Sequence, residues 1–592
     1  MSEPKIAIVG GGLAGLMAAI RVVELGAPVD LFSVVPVRRS HSVCAQGGIN
    51  AAKNMKGEGD SAWHHFDDTI YGGDFLANQP PVKGMCDAAP GIIDLLDRMG
   101  VTFNRTAEGL LDFRRFGGTL YHRTAFAGAT TGQQMLYALD EQVRRFEAEG
   151  KVRKLEGWMF LSAVLDDAGV CRGVCAASLR SAEVRTFPAD ALIVATGGLG
   201  SIFRHSTNSV ACTGAAQAAL FLQGVHYGNP EMIQVHPTAI PGEDKCRLIS
   251  ESVRGEGGRV WVPKAPGDAR DPRSIPESER FYFLEEWYPK YGNLVPRDVA
   301  VRAIHKAVFE LGLGIEGRPV VYLDVTMLPR DMLSRKLGGV LEIYEKFVGL
   351  DPRDHPMKVF PAQHYTMGGL WVDNERQATN VPGIFAAGEC EYQYHGSNRL
   401  GANSLLSCLY GGMVAGPAAV RYAEGLAQGA AATAPNVFER ERTRQEEIYS
   451  GLRSQQGEEN PITLWKEMGE WMTEHVTVIR YNKDLERTDA KLAELQERYR
   501  RINLADTSRW GNQSLHFTRE LGNMLALARL ITQAAILRDE SRGAHYKPDF
   551  PERDDVRWLR TTRASCEDGK FKFQFDVVDT SLIRPRKRSY KA

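Results

Sequence analysis

The chain has few of the features that mark membrane-spanning, metal-binding or nucleic-acid-binding proteins. No apolar run approaches the ~18–20 residues that a helix needs to cross a bilayer. The nine cysteines are scattered, and the closest pair, Cys171 and Cys175, lacks C-x-x-C spacing, so no zinc or iron–sulfur site is expected. The net charge of −1 argues against nucleic acid or anionic lipid as the main partner.

The N-terminal residues do not have the pattern of a signal peptide, because Met1 is followed almost at once by the apolar segment Lys5–Val9. A cytosolic protein is therefore expected. Charges are interspersed except in the basic segment Arg584–Arg588, which is predicted to be a solvated terminus. With 592 residues the chain is too long for one core, so several domains are expected.

The first 33 residues have the pattern of a dinucleotide-binding β-α-β unit. The strand Lys5–Val9 leads into a G-x-G-x-x-G turn, Gly10–Gly15, and a helical stretch and a second strand, Pro28–Phe32, follow. The glycines would let the backbone approach a pyrophosphate at the helix N-terminus. A Rossmann NAD site normally has Asp or Glu at the end of the second strand, but Ser33 stands there, so an ordinary NAD pocket is not expected.

Four later segments fit further contacts to such a cofactor. The polar, glycine-ended segment Arg39–Gly48 contains His41, which is either a hydrogen-bonded loop histidine or the covalent attachment point of a flavin. Ala191–Gly198 is a buried strand that ends in Thr-Gly-Gly, and Asn380–Glu389 is a strand whose final acid suits a ribityl or ribose hydroxyl. Gly396–Leu405 opens a helix whose N-terminus can point N–H groups at a developing flavin anion.

The composition changes after residue 429. A small-residue stretch that ends at Pro435 indicates a linker, and Leu485, Leu492 and Leu495 follow it with the spacing of one helix face. This pattern predicts a helical bundle. Near the C-terminus, Phe571 begins an alternation of apolar and polar residues that predicts a strand.

Taken together, these segments resemble the flavoprotein subunit of succinate dehydrogenase and fumarate reductase nearly from end to end. The amino-acid sequence of residues 39–135 most resembles that of flavoprotein subunits from bacterial complexes whose membrane part is a single dihaem cytochrome b chain. The resemblance is carried by R-S-H-S-V-C-A-Q-G-G (39–48), H-P-T (236–238), S-E-S-V-R-G-E-G-G (250–258), P-R-D (296–298), H-Y-T-M-G-G (364–369), A-A-G-E (386–389) and G-S-N-R-L-G-A-N-S-L (396–405).

The resemblance implies an α/β fold with four parts. An inserted α+β capping domain would close over the substrate, and the active site would lie between it and the FAD-binding domain. The expected parts are a Rossmann-like FAD-binding domain (1–240 and 355–432), the capping domain (241–354), a helical bundle domain (436–541) and a small C-terminal domain (542–592).

The resemblance also implies roles for individual residues. His41 would carry FAD covalently through the flavin 8α-methyl group. Arg297 would transfer the substrate proton, with Glu251 and Arg254 as its relay. The residues that match the dicarboxylate-binding positions are His236, Ser250, His364 and Arg399, with the ring of Phe116 packed against the substrate. The expected cofactor contacts are Gly10, Gly12, Ala14, Gly15, Ser33, Ser40, His41, Gln46, Gly47, Gly48, Thr196, Gly197, Glu389, Ser404 and Leu405.

Residue chemistry supports part of this assignment. Arg399 can hold a carboxylate bidentately, as a dicarboxylate substrate requires. An arginine with a pKa above ~12 is a poor base, and it becomes plausible only if surrounding cations and a Glu251–Arg254 relay keep the proton moving. The alternative base is a histidine, His236 or His364.

One position departs from much of the family. After Thr213 and Gly214, many relatives have an Asp that contacts the adenosine end of FAD, and here the residue is Ala215. Backbone groups are expected to hold the adenosine end instead.

Without metal-binding cysteines, the chain would need a partner to remove electrons from the flavin. The resemblance implies an iron–sulfur subunit bound to a dihaem cytochrome b membrane subunit, with quinone at the end of the path. The chain would then lie at the cytoplasmic side of the bacterial inner membrane, peripheral through its partner subunits. A flavinylation assembly factor would be a further partner.

Three other functions were weighed against this one. L-aspartate oxidase belongs to the same superfamily but has dissociable FAD and no quinone partner, and His41 is the residue that separates the two. A flavin-dependent tRNA-modifying protein would need a basic face, which the near-neutral composition does not offer. A pure interaction protein would have no use for two cofactor segments. Succinate oxidation and fumarate reduction use the same residues, so direction, quinone type and oligomeric state stay open.

Overall fold

The computed structural model of the protein describes residues 3–242 and 245–590. Strands and helices alternate through the first 424 residues, and long helices dominate from Pro435 to Leu537. None of the helices in these two ranges is long and apolar enough to span a bilayer.

The strands in chain order are β1 (Ile6–Val9), β2 (Val29–Ser33), β3 (Ile49–Asn50), β4 (Phe113–Arg114), β5 (Thr124–Ala125), β6 (Val152–Glu156), β7 (Trp158–Leu165), β8 (Cys171–Ser178), β9 (Val184–Pro188), β10 (Ala191–Val194), β11 (Tyr227–Gly228), β12 (Ile233–Ile240), β13 (Arg247–Leu248), β14 (Arg259–Pro263), β15 (Arg280–Phe281), β16 (Val321–Asp324), β17 (Met357–Thr366), β18 (Gly369–Leu370), β19 (Ile384–Ala386), β20 (Arg560–Glu567) and β21 (Lys570–Val577). The helices are α1 (Leu13–Glu24), α2 (Ala62–Gly72), α3 (Gln79–Arg98), α4 (Thr131–Ala148), α5 (Ala215–Leu222), α6 (Ser252–Gly255), α7 (Phe283–Trp287), α8 (Arg297–His305), α9 (Arg330–Val348), α10 (Asn403–Glu424), α11 (Pro435–Ser454), α12 (Pro461–His475), α13 (Asn482–Tyr499), α14 (Gln513–Leu537) and α15 (Asp555–Trp558).

A five-stranded parallel sheet carries the dinucleotide-binding unit. Its strand order is β19-β10-β1-β2-β6, and β1 leads directly into the glycine-rich turn. Gly10 has a φ of +116°, and a Cβ there would collide with the carbonyl oxygen of Ala195. A Cβ on Gly15 would collide with the carbonyl oxygen of Gly10, so glycine at 15 lets α1 pack against the turn. The predicted β-α-β unit and the α/β fold class are confirmed.

A six-stranded sheet with the order β13-β12-β17-β16-β14-β15 lies beside this unit. Its strands β12 and β17 come from the predicted FAD-binding domain, and β17 pairs directly with β16 of the predicted cap. Helices α8 and α9 bury apolar side chains against this sheet. The predicted boundaries near residues 240 and 355 therefore fall within one continuous sheet, and the extents of the domains stay predictions.

The helical segment packs onto the FAD-binding part. Leu485, Leu492 and Leu495, predicted to share a helix face, are fully buried on α13. They belong to the same apolar core as strands β7, β8 and β9, which form a separate antiparallel sheet. The helices α11 to α14 thus form a layer over this sheet rather than an isolated bundle.

The C-terminal residues are joined to two other parts of the chain. The hairpin β20–β21 extends a sheet with β11 and β18. The prediction of a solvated terminus agrees with the exposure of Arg584 and Lys587. It is wrong for Arg588, whose guanidinium is buried and donates to both carboxylate oxygens of Asp298 at 2.6 and 2.9 Å. A composition argument could not identify this partner, since Asp298 lies 290 residues away.

A buried arginine fixes α14 to the C-terminal hairpin and to the segment before β12. Arg538 donates to Glu231 at 2.6 Å, to Glu540 at 2.9 Å and to the hydroxyl of Thr562 at 2.9 Å. The side chains of all three charged residues are fully buried. The guanidinium also donates to two backbone carbonyls of the hairpin region, so all of its nitrogens are satisfied.

Replacing this arginine is expected to destabilise the fold. Arg538→Ala leaves the buried carboxylate of Glu231 without its cation, while Glu540 keeps Arg542, and breaking such a buried pair typically costs about 3–5 kcal/mol. We expect a clear fall in the thermal unfolding midpoint, measured by differential scanning fluorimetry. Arg557→Ala is the control, because Arg557 forms only an exposed pair with Asp554. Equal midpoints for the two variants would contradict the role of Arg538.

Candidate active site

A cavity of about 570 Å³ runs from the glycine-rich turn to a group of buried arginines and histidines. Its volume lies in the range of small-molecule and cofactor sites. Its walls come from the β1–α1 turn, residues 39–48, the residues after β10, the start of α5 and the cap. All predicted site residues line this cavity except Gly15, which packs behind the turn, and Arg254, which lies behind Glu251.

Several polar atoms in the wall of the cavity are unsatisfied. The hydroxyl oxygens of Ser40 and Thr196 and the side-chain carbonyl of Gln46 are buried without a partner among the described residues. Buried polar groups are normally hydrogen-bonded, so these atoms are suited to a polar ligand. The glycine-rich turn, the length of the cavity and these atoms fit FAD.

His41 lies at the start of a 3-10 turn, His41–Cys44, in the wall of the cavity. Its Nδ1 accepts a hydrogen bond from the backbone N–H of Ser209 at 3.2 Å, and its Nε2 lies 3.4 Å from Nδ2 of Asn208. Burial and the charge of Lys245 lower the pKa of His41 to about 3. The ring is therefore neutral near pH 7.

His236 and His364 lie together at the other end, with ring centroids 4.9 Å apart. The N–H of Thr238 donates to Nδ1 of His236 at 3.2 Å, so the ring proton of a neutral His236 is on Nε2, which has no partner within the described ranges. The hydroxyl of Thr207 lies 2.6 Å from Nδ1 of His364. Burial and the charge of Arg297 lower the pKa of both histidines well below its ordinary value.

Three arginines surround the carboxylate of Glu251. Nε of Arg297, the first residue of α8, donates to Oε2 of Glu251 at 3.0 Å, and Nη2 of Arg254 donates to Oε1 at 3.0 Å. The expectation that residues 251 and 254 face each other across a helical turn agrees with α6, which follows Glu251 directly. Burial alone would raise the pKa of Glu251, but the charges of Arg297 and Arg254 lower it overall.

Arg399 is the third arginine, and it is almost completely buried. Its guanidinium carbon lies 4.3 Å from the ring centroid of Tyr365, and its Nε has no partner in the part of the chain that the structure describes. Burial and the charge of Arg297 lower the pKa of Arg399 to about 9. Arg254 and Arg297 thus share the carboxylate of Glu251, and Arg399 lies near both Glu251 and Glu389, so positive charge exceeds negative charge at this end of the cavity.

Phe116, Ser250 and Glu389 also line the cavity. Phe116 is buried against Gly47, where a Cβ would collide with its ring. The hydroxyl of Ser250 accepts a hydrogen bond from Ser252 at 2.9 Å. Glu389 accepts from the N–H of Thr366 at 3.1 Å, and burial raises its pKa to about 7.

Sequence reasoning did not identify Gln234, which links the cationic residues. Its Oε1 accepts from Nη1 of Arg297 at 2.9 Å, and its Nε2 donates to Asn398 and to the carbonyl of Arg399. The sequence could have indicated Gln234 because it lies two residues before His236 on one strand, and alternate residues of a strand share a face. Asn208, which donates to the carbonyl of His364 and lies beside His41, was also missed.

Comparisons with known proteins agree with this geometry. Residues 5–405 match the family model described as FAD binding domain, and residues 465–590 match the model described as fumarate reductase flavoprotein C-term.

The chain is 60% identical to the succinate dehydrogenase flavoprotein subunit of Bacillus subtilis (strain 168), over 100% of this chain and 99% of the relative. It is 35% identical to the fumarate reductase flavoprotein subunit of Escherichia coli (strain K12), over 99% and 96% of the two chains. A solved structure of a mutant E. coli quinol fumarate reductase is similar with a TM-score of 0.91, 33% identity and coverage of 100% of this chain and 99% of that one.

The contact of Gln234 with Arg297 predicts an effect on turnover. Gln234→Leu removes both hydrogen bonds that orient the two arginines, and a misplaced catalytic group commonly costs up to ~10²-fold in rate. We expect kcat to fall about ten- to a hundredfold while FAD content stays unchanged, measured by steady-state assay and flavin absorbance. Gln513→Leu, at an exposed position on α14, is the control. A wild-type kcat for Gln234→Leu would exclude the positioning role.

Proposed function

Because the chain belongs to the family of succinate dehydrogenase and fumarate reductase flavoprotein subunits, which are FAD-dependent oxidoreductases, we propose that it interconverts succinate and fumarate and passes electrons to an iron–sulfur subunit. The observation that carries the proposal is the cluster of three buried arginines around Glu251 at one end of the FAD cavity. The excess of positive charge in this cluster suits the negative charge of a C4 dicarboxylate. FAD, when bound, supplies the two-electron acceptor or donor.

The binding of the dicarboxylate follows from the free donors in the cavity. Arg399 presents an unpartnered Nε and suits a bidentate carboxylate contact. His236 presents an Nε2–H, and Ser250 and His364 line the same end of the cavity. Because the two histidines are neutral, they add directed hydrogen bonds without adding charge. Phe116 closes the wall and excludes water from the reacting carbons.

Arg297 is the residue that we propose moves the proton. Its guanidinium lines the cavity, and its contact with Glu251 continues to Arg254, whose Nη1 donates to the carbonyl of Asn293. This chain of contacts gives the proton a route from the cavity, as an arginine with a high pKa requires. His236 is less suited as the base, because the proton on its Nε2 occupies the nitrogen that faces the cavity and its pKa is strongly lowered.

We also propose that His41 carries FAD covalently. The hydrogen bond from Ser209 occupies Nδ1, so Nε2 is the nitrogen available for a bond to the flavin 8α-methyl carbon. The lowered pKa keeps the ring neutral with its single proton on Nε2, and this proton must leave when Nε2 bonds to the 8α carbon. Asn208 lies beside the ring, with its Nδ2 3.4 Å from Nε2.

The proposed partners follow from where the electrons must go. We propose an iron–sulfur subunit as the direct acceptor, a dihaem cytochrome b membrane subunit behind it, and a flavinylation factor that acts during assembly. The chain would then lie at the cytoplasmic face of the inner membrane, held there by these subunits. The relatives support a subunit role, since the printed names of the B. subtilis and E. coli proteins describe flavoprotein subunits.

Replacing Arg297 tests the proton route. Arg297→Lys keeps a positive charge but loses the contact to Gln234 or to Glu251, and general acid–base groups contribute about 10²–10⁴-fold to rate. We expect succinate oxidation by the assembled complex to fall at least a hundredfold with flavin content unchanged. Arg335→Lys is the control, because Arg335 forms an exposed ion pair with Asp331 away from the cavity. Near-normal turnover of Arg297→Lys would remove Arg297 from the mechanism.

Replacing His41 tests the covalent bond. After acid precipitation of the protein, flavin fluorescence should stay with the pellet for the wild type and move to the supernatant for His41→Ser. We expect His41→Ser to be folded, to bind FAD reversibly and to lose succinate oxidation, while part of fumarate reduction survives. Free flavin from the wild type would contradict the attachment and favour an enzyme of the L-aspartate oxidase type.

A further inference from the structure

The adenosine end of the FAD cavity lacks the two acids that sequence patterns lead one to expect. In a Rossmann unit the pyrophosphate lies at the glycine-rich turn and the adenosine ribose at the end of the second strand. Ser33 stands at that strand end and donates its hydroxyl proton to the carbonyl of Val35 at 2.6 Å. Ala215, at the second position, has no polar side-chain atom. Adenosine nevertheless offers hydroxyl and amine donors that require acceptors.

A carboxylate reaches this cavity from a distant part of the sequence. Glu520, on α14 of the helical segment, lines the cavity together with Thr213, Gly214 and Ala215. Its Oε1 accepts a hydrogen bond from the hydroxyl of Thr213 at 3.0 Å. The carboxylate therefore lies directly beside the position where the family acid is missing.

The helix that carries Glu520 is held firmly at this place. Nδ2 of Asn523 donates to the carbonyl of Ala215 at 3.0 Å. The side chain of Leu527 packs at Gly214, where a Cβ would come within 2.8 Å of it. Residues 520, 523 and 527 lie on one face of α14, because their spacing of three and four matches the helical repeat. The position of the carboxylate is thus set by the packing of α14 on α5.

Glu520 makes no ion pair within residues 3–242 and 245–590, although the charge of Arg519 acts on it. Its neighbour Arg519 donates to Gln445 at 3.0 Å instead. Burial raises the pKa of Glu520 to about 7. A buried carboxyl without an ion-pair partner is costly unless hydrogen-bond donors satisfy it, and Thr213 supplies one donor to one of the two oxygens.

We infer that Glu520 accepts a hydrogen bond from the adenosine half of FAD, so that the helical segment contributes a direct cofactor contact. The carboxylate takes the place that Ser33 and Ala215 leave without an acceptor. This replaces the expectation that backbone groups alone hold the adenosine end. The inference rests on FAD as the cofactor and is independent of the covalent bond to His41.

FAD titration of the apoprotein tests this contact. In a His41→Ser background, where the flavin is expected to dissociate, FAD and FMN are titrated with flavin fluorescence as the signal. A hydrogen bond to a charged group is worth about ten- to a hundredfold in affinity. We expect Glu520→Gln and Glu520→Ala to weaken FAD binding at least tenfold. FMN binding should equal that of the parent, because FMN lacks adenosine. Glu497→Gln is the control, because Glu497 on α13 forms an exposed ion pair with Arg500.

Two results would overturn the inference. One is unchanged FAD affinity in both Glu520 variants, and the other is an equal loss of FAD and FMN affinity, which would indicate a general structural effect. The thermal midpoint of each apoprotein shows whether α14 still packs. If wild-type flavin proves dissociable, the same titrations are made without the His41 change, so failure of covalent attachment leaves this test intact.

Discussion

The carboxylate of Glu251 is the interaction on which the substrate end of the molecule depends. Its two oxygens accept hydrogen bonds from Arg254 and Arg297, and its charge offsets part of the charge of Arg399. Glycine is needed on both sides of this carboxylate, because a Cβ on Gly117 or on Gly401 would collide with it. Glu251 also fixes the start of α8 relative to α6. Glu251 therefore serves two purposes: it holds the start of α8 next to the cavity, and it balances part of the charge of the buried arginines.

Sequence information was sufficient wherever function depends on local pattern. The turn from Gly10 to Gly15 could be predicted because its chemistry lies within six consecutive residues, and the helix face of Leu485 could be predicted from spacing alone. The meeting of Arg297 with Glu251 was expected only through resemblance, since 46 residues separate them. Gln234 and Glu520 were missed because no local pattern distinguishes them. Their roles come from the pairing of β12 with β17 and from the packing of α14 on α5, which are properties of tertiary structure.

The parts that sequence separates into domains are continuous in space. The part predicted as the cap shares a sheet with the predicted FAD-binding part through the pairing of β16 with β17, and the C-terminal hairpin shares a sheet with β11. Arg538 connects α14 to the segment before β12 through Glu231 and to the C-terminal hairpin through the hydroxyl of Thr562. Motion of the cap by a free hinge is hard to reconcile with a shared sheet. Bending within that sheet, at the register irregularities of β12, would keep its hydrogen bonds intact.

The contact of Arg588 with Asp298 also sets an order of events during synthesis. Asp298 directly follows Arg297 at the start of α8, and its principal counter-ion emerges from the ribosome 290 residues later. Until then Arg302 is its partner on α8, at 3.1 Å. N-terminal segments fold first during translation, so the helix that presents Arg297 matures only after nearly the whole chain has been made. A polypeptide released early would thus carry every side chain of the candidate site and still lack the contact that completes the start of α8.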